Sequence, residues 1–259
     1  MYPYEAYLNS LKERIARNDI TLTEVNFCNA TCDDYIEFMK HNTHVKRMWV
    51  NDALIRSLDH LIGNTTLMEL YLEECAIQDA SAISHLTHLT HLSVSMSPIN
   101  IKFLPSLVNL VSLDISFTLK EDVIPFIQHL SKLEDLDISE LRLEHKNVTA
   151  MRSLVSHLLN LAMDYCHLTS DFLESIFVDV ESPITKLSIE CNRGVTDLNF
   201  IRHLRNLDFL QAGECQITDL TPLNQVRVTT VHVHNNPLNN VECLQYNTTI
   251  ETLFVMSCG

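Results

Sequence analysis

Along this chain an aliphatic residue is followed three positions later by a second and two positions after that by a third. A small or polar residue, often Cys or Asn, then comes three further on. The copies begin at Leu22, Val45, Leu67, Leu89, Leu110, Leu133, Leu158, Ile184, Leu207, Val228 and Ile250, an interval that stays close to 22 or 23 residues and stretches near Leu158 and Ile184. Apolar residues two apart with polar residues between them have the period of a strand, so each copy predicts one short strand and a return segment. A fixed period of this length predicts a solenoid, in which no unit can bury its apolar face without its neighbours.

Ahead of the first copy, residues 3–18 place Tyr4, Tyr7, Leu8, Leu11 and Ile15 on one helical face, which predicts a cap over the first repeat. The domain organisation expected is a helical cap over 1–21 and one array of about eleven repeats over 22–259. The returns at 33–40, 79–85, 122–129, 147–153 and 170–178 open near Asp, Asn or Ser and carry apolar residues at helical spacing, so short helices are expected there. Later returns such as Asp219-Leu-Thr-Pro-Leu are shorter and predict a turn of 3₁₀ or α helix. The final copy stops at its strand, so either a longer protein continues from it or its edge pairs with another chain.

The stretch 192–210, with Val195-Thr-Asp-Leu and Phe200-Ile-Arg-His-Leu-Arg-Asn-Leu, and the following Cys215-Gln-Ile-Thr-Asp-Leu-Thr-Pro-Leu resemble the short, SDS22-like repeats of the leucine-rich-repeat superfamily. The middle copies, with longer returns, resemble its Cys-containing or ribonuclease-inhibitor-like classes. The resemblance implies an α/β fold: a curved horseshoe with a parallel β-sheet on the concave face and short helices and 3₁₀ turns on the convex face. It implies a binding role such as a regulatory or targeting subunit, of a phosphatase or a GTPase for example, but no particular activity.

Composition narrows the partners. A net charge of -15 argues against nucleic acid, which needs clustered Lys and Arg, and fits a protein partner with a basic patch or simple solubility better. No apolar run approaches the roughly 20 residues of a membrane span, and the first residues lack the basic start and apolar centre of a secretory signal. Cys75, Cys166, Cys215 and Cys258 fall on the position where Asn192 and Asn236 stand in other copies. They read as packing residues with a weak donor, and all eight cysteines read as reduced, in keeping with a cytoplasmic protein. The Asn-X-Ser/Thr triplets at Asn29, Asn64, Asn147 and Asn247 read as chance rather than as glycan acceptors.

Because side chains alternate along a strand, the residues between the aliphatic ones must face outward, on the concave side. Three zones emerge. Trp49 and Tyr71, flanked by Arg47, Glu69 and Glu73, combine the residue types that most often dominate binding energy. In the middle, Asp114 and Asp137 fall in one column and Asp164 and Glu190 in the next. Like charges about 5 Å apart repel by about 3 kcal/mol at an effective dielectric near 20, a cost that a basic partner relieves. Towards the C-terminal copies, Phe209, His232, His234 and Phe254 share the face. His232-X-His234 with Glu214 on the adjoining copy makes a metal conceivable, but with no third and fourth ligand evident a protein-binding patch is the reading preferred. No cofactor is expected, and the open acidic surface has nothing to exclude water, which argues against catalysis. The function expected is non-catalytic protein binding on the concave face. The alternatives are a bacterial effector acting on proteins in the host cytosol, a structural unit self-associating through the C-terminal edge and, last, an enzyme using the acidic or His patch.

Overall fold

The structure is a computed structural model, which describes residues 3–29, 34–53, 55–77, 79–118 and 122–256. The expectation for Cys258 and that for the Tyr4 side chain lie outside what is described. Two compact units divide the chain, Met1–Leu119 and Lys120–Gly259.

In the first unit, helix α1 (Pro3–Ala16) precedes strands β1 (Glu24–Asn26), β2 (Arg47–Trp49), β3 (Glu69–Tyr71), β4 (His91–Ser93) and β5 (Ser112–Asp114). The strands pair parallel and in sequence order, each copy level with the next, so that Glu24, Arg47, Glu69, His91 and Ser112 form one row. The second unit repeats this with β6 (Asp135–Asp137), β7 (Asn160–Ala162), β8 (Lys186–Ser188), β9 (Phe209–Gln211), β10 (Thr230–His232) and β11 (Thr252–Phe254). The central residue of each strand from β1 to β10 is buried, from Val25 and Met48 to Leu210 and Val231. This level stacking is what the constant period requires, because a one-residue slip would turn every leucine to solvent.

The longest return helices stand in the longest intervals. α4 (Val148–Val155) and α5 (Ser170–Phe177) lie in the stretched intervals that begin at Leu133 and Leu158, and α5 is capped by the Thr169 hydroxyl, which accepts from the Phe172 amide at 3.2 Å. Residues 33–40 hold α2 (Asp34–Glu37) and a 3₁₀ turn (Phe38–His41), and 122–129 hold the single turn α3 (Ile124–Ile127). The helix expected at 79–85 is instead a 3₁₀ turn, Ser81–His85. That interval is short, and Leu86 and Leu89 on its far side are buried, so the tighter helix is the one that fits.

The Cys/Asn position works as a hydrogen-bond ladder. The Asn192 amide donates to the carbonyls of Met163, Ile189 and Glu190 at 2.9, 2.9 and 3.0 Å, and its oxygen accepts from the Leu168 amide at 2.9 Å. Asn236 does the same with Ala212, Val233, His234 and the Ile217 amide. Cys75, Ser97, Cys166 and Cys215 each reach the corresponding carbonyl of the preceding copy, on Val50, Leu72, Ile138 and Ile189. Burial pushes the Cys166 and Cys215 thiols up to about 12, so they serve as protonated donors and not as nucleophiles.

Two of the Asn-X-Ser/Thr triplets have a structural reason. Asn64 and Asn247 accept the amides two and three residues on, fixing the turn into the next copy, and Asn42 does so too without a triplet. Asn64 and Asn147 are buried, which leaves no room for a glycan on either in this fold.

Candidate protein-binding face

The outward residues of β1–β3 form a connected group. Arg47 lies between two carboxylates, 2.9 Å from Glu69 and 3.4 Å from Glu24, and the Tyr71 hydroxyl donates to Glu69 at 3.1 Å. Trp49 and Tyr71 stack almost parallel, with ring centroids 5.4 Å apart and an interplanar angle of 7°. The strands hold this geometry, because the two residues are directly paired across the ladder at the spacing that aromatic faces prefer. Asn51 donates to Glu73 at 2.8 Å. Both rings stay half-buried while Met48 and Leu70 beneath them are sealed, so the stack is additional to the core. With two carboxylates on Arg47 and a third on Asn51, the surroundings of the rings carry net negative charge.

Asp114 closes the first unit's face, accepting from the hydroxyls of Ser93 at 3.2 Å and Ser116 at 2.7 Å. Asp137 stands in the second unit, where its carboxylate accepts the Ser139 amide at 2.9 Å. Asp135, beside it, accepts from the Asn160 amide. Asp164 is drawn inward: its Oδ1 accepts the Ser188 hydroxyl at 2.6 Å and the Glu190 amide at 2.7 Å, while burial raises its carboxyl above the usual range. Two donors on one oxygen offset part of the repulsion expected between Asp164 and Glu190.

On β9–β11, Phe209, His232 and Phe254 run side by side, with centroids 5.4 and 5.7 Å apart at angles of 66° and 56°. His234 meets Phe254 edge-on, centroids 5.7 Å apart at 69°. Glu190 lies 4.0 Å from its Nδ1. Gly213 makes room for this ring, because a Cβ there would collide with it.

One outward column escaped the sequence pattern. The residue two beyond the last aliphatic of each copy adopts a left-handed backbone: Asn29, Asp52, Glu74, Met96 and Phe117 in the first unit, Glu140, Tyr165, Cys191, Glu214 and Asn235 in the second. Amides at these residues extend the strand ladder, as when the Met96 amide donates to the Ser116 carbonyl at 3.0 Å. Glycine, the usual left-handed signal, occupies none of these positions, so only Asn29, Asp52 and Asn235 gave a hint. Met96, Phe117 and Tyr165 are exposed there. The Tyr165 hydroxyl, hydrogen-bonded to Cys191, is pushed up to about 12.

One parallel strand per copy, returns of 3₁₀ or α helix and an Asn/Cys ladder are the leucine-rich-repeat fold. Among solved structures the chain is similar to internalin InlF of Listeria monocytogenes, with a TM-score of 0.74 and 22% identity over 96% of this chain and 72% of that one. Internalin C2 of the same organism has a TM-score of 0.38 at 19% identity, over 90% of this chain and 80% of its own. The functional domain of its InlJ, described as including a cysteine ladder, has a TM-score of 0.44 at 16% identity, over 95% of this chain and 65% of that one. No protein-family model matches the sequence, and neither does any curated protein. Among the described residues no helix is long and apolar enough to cross a membrane, and no group of three His, Cys, Asp or Glu is placed to hold a metal ion.

Proposed function

We propose that the outward strand faces bind another protein without catalysis. The observation that carries this reading is the Trp49–Tyr71 stack, half-exposed above a core that is sealed without it and ringed by carboxylates. Aromatic side chains held rigid outside the core are the anchors that binding surfaces use, since little freedom is lost when a partner covers them. Phe209, His232, His234 and Phe254 form the corresponding patch on the second unit. Asp137, Asp164 and Glu190 give that unit's face the negative charge that suits a basic partner. A cytoplasmic setting, the host cytosol included if the chain is a delivered effector, accords with the thiols of Cys75, Cys166 and Cys215 acting as ladder donors, a role that a disulfide would abolish.

The test is site-specific photo-crosslinking in the native cell. A photoreactive residue at Asn26 or Ser188, on the strand faces, should trap one partner, and the same residue at Lys102 or Arg205, on the returns, should not. Equal trapping from both sets removes the strand-face reading.

A second reading rests on β11, where Leu253 and Val255 keep partial exposure although their counterparts Val231 and Val233 are fully sealed. This edge suits a second copy of the chain. Light scattering is then expected to find a dimer that Val255→Lys converts to a monomer, and a monomer in both proteins eliminates the reading.

A further inference from the structure

The sharpest feature of the first unit outside the strand face is a cleft of about 490 Å³ beside β1, between Tyr7, Leu11 and Arg14 of α1 and residues 21–26, with Trp49 at its border. It exists because α1 packs on the 3₁₀ turn Phe38–His41, burying Leu8, Leu11 and Ile15, and does not lie along the strand. In a parallel ladder alternate residues turn their N–H and C=O groups to opposite edges. Thr23 and Phe27 bond to β2, through Thr23 O to the amides of Lys46 and Arg47 and through the Phe27 amide to Trp49 O. By the register Glu24↔Arg47, the backbone groups of Glu24 and Asn26 therefore point away from β2, along the cleft. Edge groups of this kind are a template for an added strand.

We propose that this cleft takes an extended segment of the partner protein, which pairs its backbone with the outer edge of β1 and brings a Lys or Arg side chain to Glu24, beside Trp49. The proposal rests on the strand-face reading, since Trp49 belongs to both. Charge selects the occupant. Arg14 is already held by Asp19 at 2.8 Å and by the Thr21 hydroxyl at 3.1 Å, so it offers little to an anion. Glu24 shares the single Arg47 with Glu69 and is the more distant of the two, leaving negative charge uncompensated at the mouth. The cleft volume lies in the range of roughly 300–1,000 Å³ that bound ligands occupy, and a three-residue strand of roughly 10 Å matches the length of β1.

The experiment uses the full chain, isotope-labelled for NMR, titrated with the blocked pentapeptide Thr-Val-Arg-Val-Thr. The amide signals of Glu24 and Asn26 should shift and their hydrogen exchange should slow. A Glu-for-Arg peptide should bind roughly tenfold more weakly, and so should the Arg peptide to Glu24→Gln. Glu24→Pro removes an outward N–H without touching the ladder to β2, as proline on edge strands allows, and should abolish pairing in a folded protein. A peptide N-methylated at alternate residues should likewise fail, and this control needs no change in the protein. The proposal is overturned if the Glu24 and Asn26 amides stay unmoved at millimolar peptide, or if the N-methylated peptide binds as well as the parent. If that occurs while photo-crosslinking from the strand face persists, strand addition alone is lost. Pairing at β1 with no crosslink from Asn26 or Ser188 would instead remove the strand-face reading.

Discussion

Replacing Asn192 by alanine is expected to lower the stability of the second unit by about 3 kcal/mol, at about 1 kcal/mol for each of three net hydrogen bonds lost. The side chain is fully buried, its two amide hydrogens are shared among three carbonyls and its oxygen accepts the Leu168 amide, so three hydrogen bonds are lost away from bulk water. Cys215→Ala should cost about 1 kcal/mol, because one weak S–H donor to Ile189 O is lost together with little volume. Urea unfolding of the two variants beside wild type measures both. Hydrogen exchange at Leu168 gives the local readout, with a rate that should rise only in Asn192→Ala. If Asn192→Ala and Cys215→Ala prove equally mild, the ladder is packing alone and the hydrogen-bond account fails.

Trp49→Ala should weaken binding of the cross-linked partner by roughly 30-fold, equivalent to about 2 kcal/mol, with the urea midpoint almost unchanged. The two outcomes separate because Met48 and Leu70 carry the core beneath the rings, while the rings themselves lie at the surface. Tyr71→Ala should act in the same direction. The double variant should lose less than the sum, since each ring holds the other in place at 5.4 Å and the first removal already frees its neighbour. Titration calorimetry with the four proteins closes this cycle. Full affinity in Trp49→Ala, or strict additivity in the cycle, contradicts the paired-anchor account.

The strand face is legible in the sequence because alternation is a property of the chain. Once Leu67, Leu70 and Leu72 must face the core, Glu69, Tyr71 and Glu73 must face away. The same register put Trp49 next to Tyr71 and turned Cys75, Cys166 and Cys215 from candidate bridges into packing residues. Less legible was everything that depends on what lies across a return. Spacing did not show that His234 comes within 4.0 Å of Glu190, its ring filling the space that Gly213 leaves. Asp164 looked like a bare charge and proved to be a half-buried acceptor of two hydrogen bonds. The helix expected at 79–85 tightened to 3₁₀ because helical spacing says nothing of how much length the next copy leaves.

The chain alone thus determined the repeat, its buried rows and the identity of every residue between them, because period and alternation are local and recur in every copy. Tertiary structure decided the left-handed residue after each strand, the partners of each carboxylate and the cleft beside β1. Those depend on distances between segments far apart in sequence, which no spacing along one chain encodes.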